Sequence, residues 1–177
     1  MTDFQKDDIM QRLAQLDDDL LSLYSASAHF EMVIVGGAAF MVMGLAPQNR
    51  FTTDIDVLKA SDELEALLES YDMNTDVATF LYKYPENWEH RRRKIPFDSQ
   101  VLDVYTLSNE DLAITKLLAW RETDKKDLVA MIASDNLNLD AVEHILSDAT
   151  EVEINLDESE WNLLIQRFVS LRKDILL

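Results

Sequence analysis

The stretch "VIVGGAAFMVMGLAPQNRFTTDIDVL", Val33 to Leu58, decides how this chain is read. It holds all three glycines of the protein, Gly36, Gly37 and Gly44. It begins with an apolar run rich in β-branched residues and ends on Asp-Ile-Asp among threonine, isoleucine and valine. β-branched runs bounded by glycine read as strands, so "EMVIVGG" and "TTDIDVL" are expected to be strands. Between them Ala38 to Leu45 has no turn residue until Gly44 and Pro47, which predicts a buried helix that stops near the glycine.

Working outward, Ile9, Leu13, Leu16, Leu20 and Leu23 recur at helical spacing, so an amphipathic helix is expected from Asp7 to Ser27. "SDELEALLESY" reads as a capped surface helix, and "VATFLYKY" and "QVLDVYTL" as strands joined by a loop from Pro85 to Pro96. Beyond Ser108 the pattern is helical. Ser108 with Asp111, and Asp157 with Glu160, have capping-box spacing, and Trp161, Leu164, Ile165, Phe168 and Leu171 form one stripe of the last helix. This order predicts an α+β (α/β) fold, a small mixed β-sheet covered by helices with a helical C-terminal part. The expected division is a core with its N-terminal helix at 1–107 and a helical part at 108–177.

Composition narrows the chemistry. The chain has 177 residues and is 47% hydrophobic, enough for one core with a helical annex and unlike a disordered chain. It has no cysteine, which rules out disulfides and thiolate ligands, so a metal here needs oxygen or imidazole donors. No apolar run reaches the roughly 18 residues of a membrane span, and the acidic N-terminus is unlike a signal peptide, so a cytoplasmic protein without a membrane partner is expected. The formal charge of -18 disfavours a general nucleic-acid coat. The exception is "HRRRK", where Arg91, Arg92, Arg93 and Lys94 follow His90; these four cations are candidates for binding the phosphates of an acceptor. His29, His90 and His144 have no ligand spacing and read as structural or surface residues.

The period of a strand puts Asp54 and Asp56 on one face, with Ile55 and Val57 on the other. Asp103 in "VLDVY" alternates in the same way with Leu102 and Val104. If the two strands are neighbours in register, three carboxylates converge, and so many like charges need a hard cation such as Mg²⁺ or Mn²⁺ between them. Gly36 and Gly37, between a strand and a helix, would let the backbone approach a triphosphate closely. Arg50 and Thr52, just before the Asp pair, either support the strand or contact phosphate. Lys116 lies in the apolar run "LAITKLLAW", where its ammonium either reaches water or meets phosphate.

"VIVGG", "TDIDVL" and "VLDVYT", in this order, resemble the motifs of the polymerase-beta-like nucleotidyltransferase superfamily. Lys116, Arg121 and Lys126-Asp127 in "AITKLLAWRETDKKDLVAM" are similar to the second motif of its bacterial toxin-type members, from abortive-infection and toxin-antitoxin systems. The resemblance covers residues 31 to 130. It implies transfer of a nucleoside monophosphate from a nucleoside triphosphate to a hydroxyl of tRNA or protein, and a cognate antitoxin as partner. It implies Asp54, Asp56 and Asp103 as catalytic metal ligands, with Gly36, Gly37, Arg50, Thr52 and Lys116 on the nucleotide. A catalytically degenerate binding module or partner subunit is the alternative.

Overall fold

The computed structural model describes residues 4–47, 50–77, 83–148 and 156–175. The fold is mixed α+β, and the described residues fall into two compact units: those within 4–77 with 92–107, and those within 83–91 with 108–175.

The first unit opens with α1, Lys6–Leu23, whose N-terminus is closed by the Gln5 backbone N–H donating to the Asp8 carboxylate at 2.8 Å. Ile9, Leu13, Leu16 and Leu20 are fully buried. Leu23, expected on the same stripe, is 64% exposed: it ends the helix, and its spacing continues one position past the buried core. Asp17, from the acidic run "LDDDL", is buried and accepts from the backbone N–H groups of Gln100, Val101 and Leu102 at 2.7 to 2.9 Å. It thereby anchors the segment that enters the last strand of the sheet.

That sheet has five strands in the order β3-β2-β1-β5-β4. They are β1 (Phe30–Val35), β2 (Ile55–Ala60), β3 (Met73–Asn74), β4 (Arg93–Lys94) and β5 (Leu102–Thr106). β1 is central, antiparallel to β2 and parallel to β5. Its residues are buried except Glu31, as a central strand's should be. The register between β1 and β2 shifts where Val33 faces Lys59 and Ile34 faces Val57, leaving Leu58 as the extra residue. This bulge lets Val57 and Leu58 both enter the core although they are adjacent in sequence. Ahead of β2, Thr52 forms an isolated bridge with Phe4, its N–H donating at 3.1 Å and its carbonyl accepting at 2.7 Å.

Between β1 and β2 lies α2, Gly36–Val42, with Ala38 to Val42 buried; it ends before Gly44, which has φ +69. α3, Asp62–Leu68, follows β2. Ser61 is its N-cap, but the cap is made by the Ser61 carbonyl, which accepts from Leu64 and Glu65, and not by the side chain. The strand expected in "VATFLYKY" falls mostly on 78–82, outside the described residues; Val77 and Lys83 at its edges lie in helical turns.

In the second unit the loop expected after Pro85 contains a short helix, α4 (Trp88–Arg91). α5 (Asn109–Ala119) packs against α6 (Glu122–Ala133), α7 (Leu139–Ser147) and α8 (Glu158–Ile175). The Ser108 hydroxyl caps α5 by accepting from the Asp111 N–H at 3.0 Å. Asp157 and Glu160 exchange backbone-to-side-chain bonds of 2.8 and 3.4 Å at the start of α8. On α8, Leu164, Phe168 and Leu171 are buried, while Trp161 and Ile165 are half-buried at the margin of the stripe. Among the described residues no helix is long and apolar enough to cross a membrane.

Candidate active site

The glycine pair sits where β1 turns into α2, and each glycine makes room for a polar side chain from the other side of the β1–β2 connection. Gly36 has φ +64, a conformation that favours glycine, and a Cβ there would lie 2.7 Å from Asp56 Oδ2. At Gly37 a Cβ would meet Thr52 Oγ1 at 2.8 Å and Thr52 Cβ at 3.2 Å, with an Arg50 guanidinium nitrogen 3.7 Å away. The Thr52 hydroxyl donates to the Asp54 carbonyl at 3.1 Å and lies 3.5 Å from Asp54 Oδ1. Arg50 donates to the Phe51 carbonyl at 2.9 Å. Asp54 and Asp56 are half-buried while Ile55 and Val57 are buried, as alternation along the strand requires. The structure thus brings together Gly36, Gly37, Arg50, Thr52, Asp54 and Asp56.

One member sequence reasoning missed is Asn74, which pairs with Asp56 across β2 and β3 and donates from Nδ2 to Asp56 Oδ1 at 3.1 Å. β3 is two residues long, too short for alternation to mark a face, and Asn74 follows a left-handed residue, Asp72, that breaks any local period.

Asp103 does not join this group, and the expected convergence of three carboxylates is corrected by the sheet order. β1 lies between β2 and β5, and while Asp56 faces Val35 at the end of β1, Asp103 faces Glu31 near its start. Four residues at about 3.3 Å and two strand spacings at about 4.8 Å separate the Cα positions by roughly 16 Å. Asp103 has instead a set of neighbours of its own. His29 Nε2 is 3.6 Å from Asp103 Oδ2 and 3.8 Å from Glu31 Oε1, and ligand atoms of the three residues lie within 4.8 Å of one another. Here protein cations already balance the carboxylates: Lys94 pairs with Asp103, and Arg92 with Glu31 at 3.0 Å while lying over the Tyr105 ring. The hydrogen bond to Asp103 is the main cause that raises the Lys94 pKa, and burial, then the Glu31 and Asp103 charges, raises that of Tyr105.

The basic run is divided between the two units. Arg91 makes a two-pronged pair with Asp111, at 3.0 Å from Nε and 2.8 Å from a terminal nitrogen, and Asp111 is fully buried. With Arg92 and Lys94 engaged as described, Arg93 is the member of the run for which no ion pair occurs among the described residues; its side chain is exposed. Lys116 neither reaches water nor lies exposed for phosphate: its ammonium is buried, donating to Asp124 at 2.8 Å and Asp127 at 2.9 Å. Asp124 also accepts from the Arg121 N–H at 2.9 Å, and the pairs of Lys116 with Asp124 and Asp127 tie α5 to α6.

Two carboxylates backed by a hydroxyl and an amide are a hard oxygen donor set. Such oxygen donors suit a hard divalent cation, and they are too few for an all-protein cage.

Compared with known families, residues 11–175 match the model of a family described as nucleotidyltransferase of unknown function (DUF6036). No curated protein and no solved structure matches the chain.

Proposed function

Since the chain belongs to this family of nucleotidyltransferases, we propose that it transfers a nucleoside monophosphate from a nucleoside triphosphate to an acceptor hydroxyl at the Gly36–Asp56 site. The acceptor oxygen bonds to the α-phosphorus, the bond to pyrophosphate breaks, and the hydroxyl proton leaves to solvent. Asp54 and Asp56 would hold Mg²⁺ or Mn²⁺, which when bound neutralises phosphate charge and favours the deprotonated acceptor. Gly36 and Gly37 let Asp56 and Thr52 lie close against the backbone at the start of α2, Thr52 supports Asp54, and Arg50 places a cation beside Gly37. The observation that carries the reading is the lodging of Asp56 Oδ2 in the space a Gly36 side chain would fill, 2.7 Å from its Cβ position. Glycine there serves a carboxylate and is more than a turn residue.

Of the two acceptor classes, protein has more support than tRNA. In the basic run Arg91, Arg92 and Lys94 are paired with Asp111, Glu31 and Asp103, and the chain carries a charge of -18. An RNA phosphate would compete with those pairs against long-range repulsion. A toxin-type role with a cognate antitoxin rests on the second motif alone. A nucleotide-binding module without turnover is the second reading, favoured by the absence of Asp103 from the site. Incubation with each α-phosphate-labelled nucleoside triphosphate, Mg²⁺ and lysate separates them: label in protein supports this reading, label in RNA reverses the acceptor, and bound but untransferred nucleotide favours the module.

A further inference from the structure

Asn74 lies between two hydrogen bonds that leave its amide only one orientation. Its Oδ1 accepts from the Asp76 backbone N–H at 2.9 Å. Because that N–H can only donate, the oxygen must face it, and the NH₂ must face the neighbouring strand. There it donates to Asp56 Oδ1 at 3.1 Å, on the rung where Asp56 and Asn74 are paired. The other oxygen of the same carboxylate, Oδ2, lies against Gly36, where even a methyl group would collide at 2.7 Å. Asp56 is therefore constrained at both oxygens, by a donor on one side and by backbone on the other. An aspartate at position 74 could still accept from Asp76 but would set carboxylate against carboxylate; alanine could do neither.

We infer that Asn74 is a positioning residue that fixes the Asp56 carboxylate for metal binding, an inference that rests on the metal-dependent reading above. Mg²⁺ demands near-ideal octahedral geometry, whereas Ca²⁺ tolerates irregular oxygen ligands. A fixed carboxylate should therefore favour Mg²⁺ over Ca²⁺, and a loosened one should lose that preference. A fold-stabilising role alone would leave the preference unmoved.

The test titrates the full chain with Mn²⁺, follows free Mn²⁺ by electron paramagnetic resonance, takes the Asp56→Ala variant as the blank for binding elsewhere on the acidic surface, and displaces the site-bound Mn²⁺ with Mg²⁺ or Ca²⁺. In Asn74→Ala Mg²⁺ affinity is expected to fall by about tenfold, the lower end of what loss of a second-layer hydrogen bond at a metal site costs, and Ca²⁺ affinity by less, so that the Mg²⁺-over-Ca²⁺ preference falls. Asn74→Asp keeps the bond to Asp76 and serves if the alanine variant does not fold; its preference should fall too, since an added carboxylate suits the larger ion. An unchanged preference in a folded variant overturns the assignment while leaving the metal reading intact, and unfolding of both variants makes Asn74 structural and overturns it as well. Wild-type protein that binds Mn²⁺ no better than Asp56→Ala overturns the metal reading and this inference with it.

Discussion

Substituting alanine at each glycine in turn separates two costs the structure assigns differently. Gly44 has φ +69 and open space around it, so Gly44→Ala bears the left-handed strain alone, roughly 1–2 kcal/mol. Gly36 has φ +64 and also the Asp56 carboxylate at 2.7 Å from the new Cβ. To relieve that contact Asp56 must turn away, which breaks its bond from Asn74, a charge-assisted hydrogen bond of about 1.5 kcal/mol or more. Gly36→Ala should therefore lose about 3 kcal/mol. Gly37 has no positive φ, but its Cβ would press on Thr52, whose backbone is held by two bonds to Phe4, so Gly37→Ala should cost about 1–3 kcal/mol through crowding alone. Thermal unfolding resolves the series, since 1 kcal/mol moves Tm by roughly 2–4 °C at this chain length. Gly36→Ala should melt below Gly44→Ala by several degrees. Equal losses in the two would mean that Asp56 does not occupy the Gly36 recess, and the site built on that contact would fall with it.

Two further outcomes can be read from the structure. Lys116→Met removes the cation from between buried Asp124 and Asp127 and should destabilise the helical unit by about 3–5 kcal/mol in urea titrations, while triphosphate affinity of the folded protein is retained. Tyr71 is pushed up to about 12, first by burial, then by its hydrogen bond to Asp19 at 2.5 Å and the charge of that carboxylate. The folded state therefore keeps this proton after the unfolded chain begins to lose it near pH 10, and stability should decline from there toward pH 12. Urea midpoints across that range should decline less steeply in Tyr71→Phe.

Where sequence and structure part depends on which physical property a pattern encodes. Period encodes face: the buried Ile55 and Val57 beside half-buried Asp54 and Asp56 follow from alternation, and the end of α2 before Gly44 follows from that glycine, while its start lies at Gly36, two residues before the expected Ala38. Period does not encode rung. The place of Asp103 depends on strand order and on a register that sets it beside Glu31, neither of which is written in "VLDVY". Asn74 was hidden because its bond to Asp56 joins residues 18 apart through a strand of two residues. The basic run looked like one patch because charge is legible one residue at a time, whereas the acids that meet it, Asp111, Glu31 and Asp103, come from separate elements. Lys116 is similar: the sequence shows a lysine in an apolar run, and only the packing of α5 on α6 supplies Asp124 and Asp127 around it.

Transfer at Asp54 and Asp56, with Asp103 standing apart, can be tested on one set of variants. It is tested most directly by incubating wild type, Asp54→Asn, Asp56→Asn and Asp103→Asn with α-phosphate-labelled nucleoside triphosphate, Mg²⁺ and lysate, and measuring label transferred per folded protein. Transfer should be lost in the first two variants and persist in Asp103→Asn. Transfer that survives in Asp54→Asn and Asp56→Asn, or that Asp103→Asn abolishes as fully as they do, would contradict it.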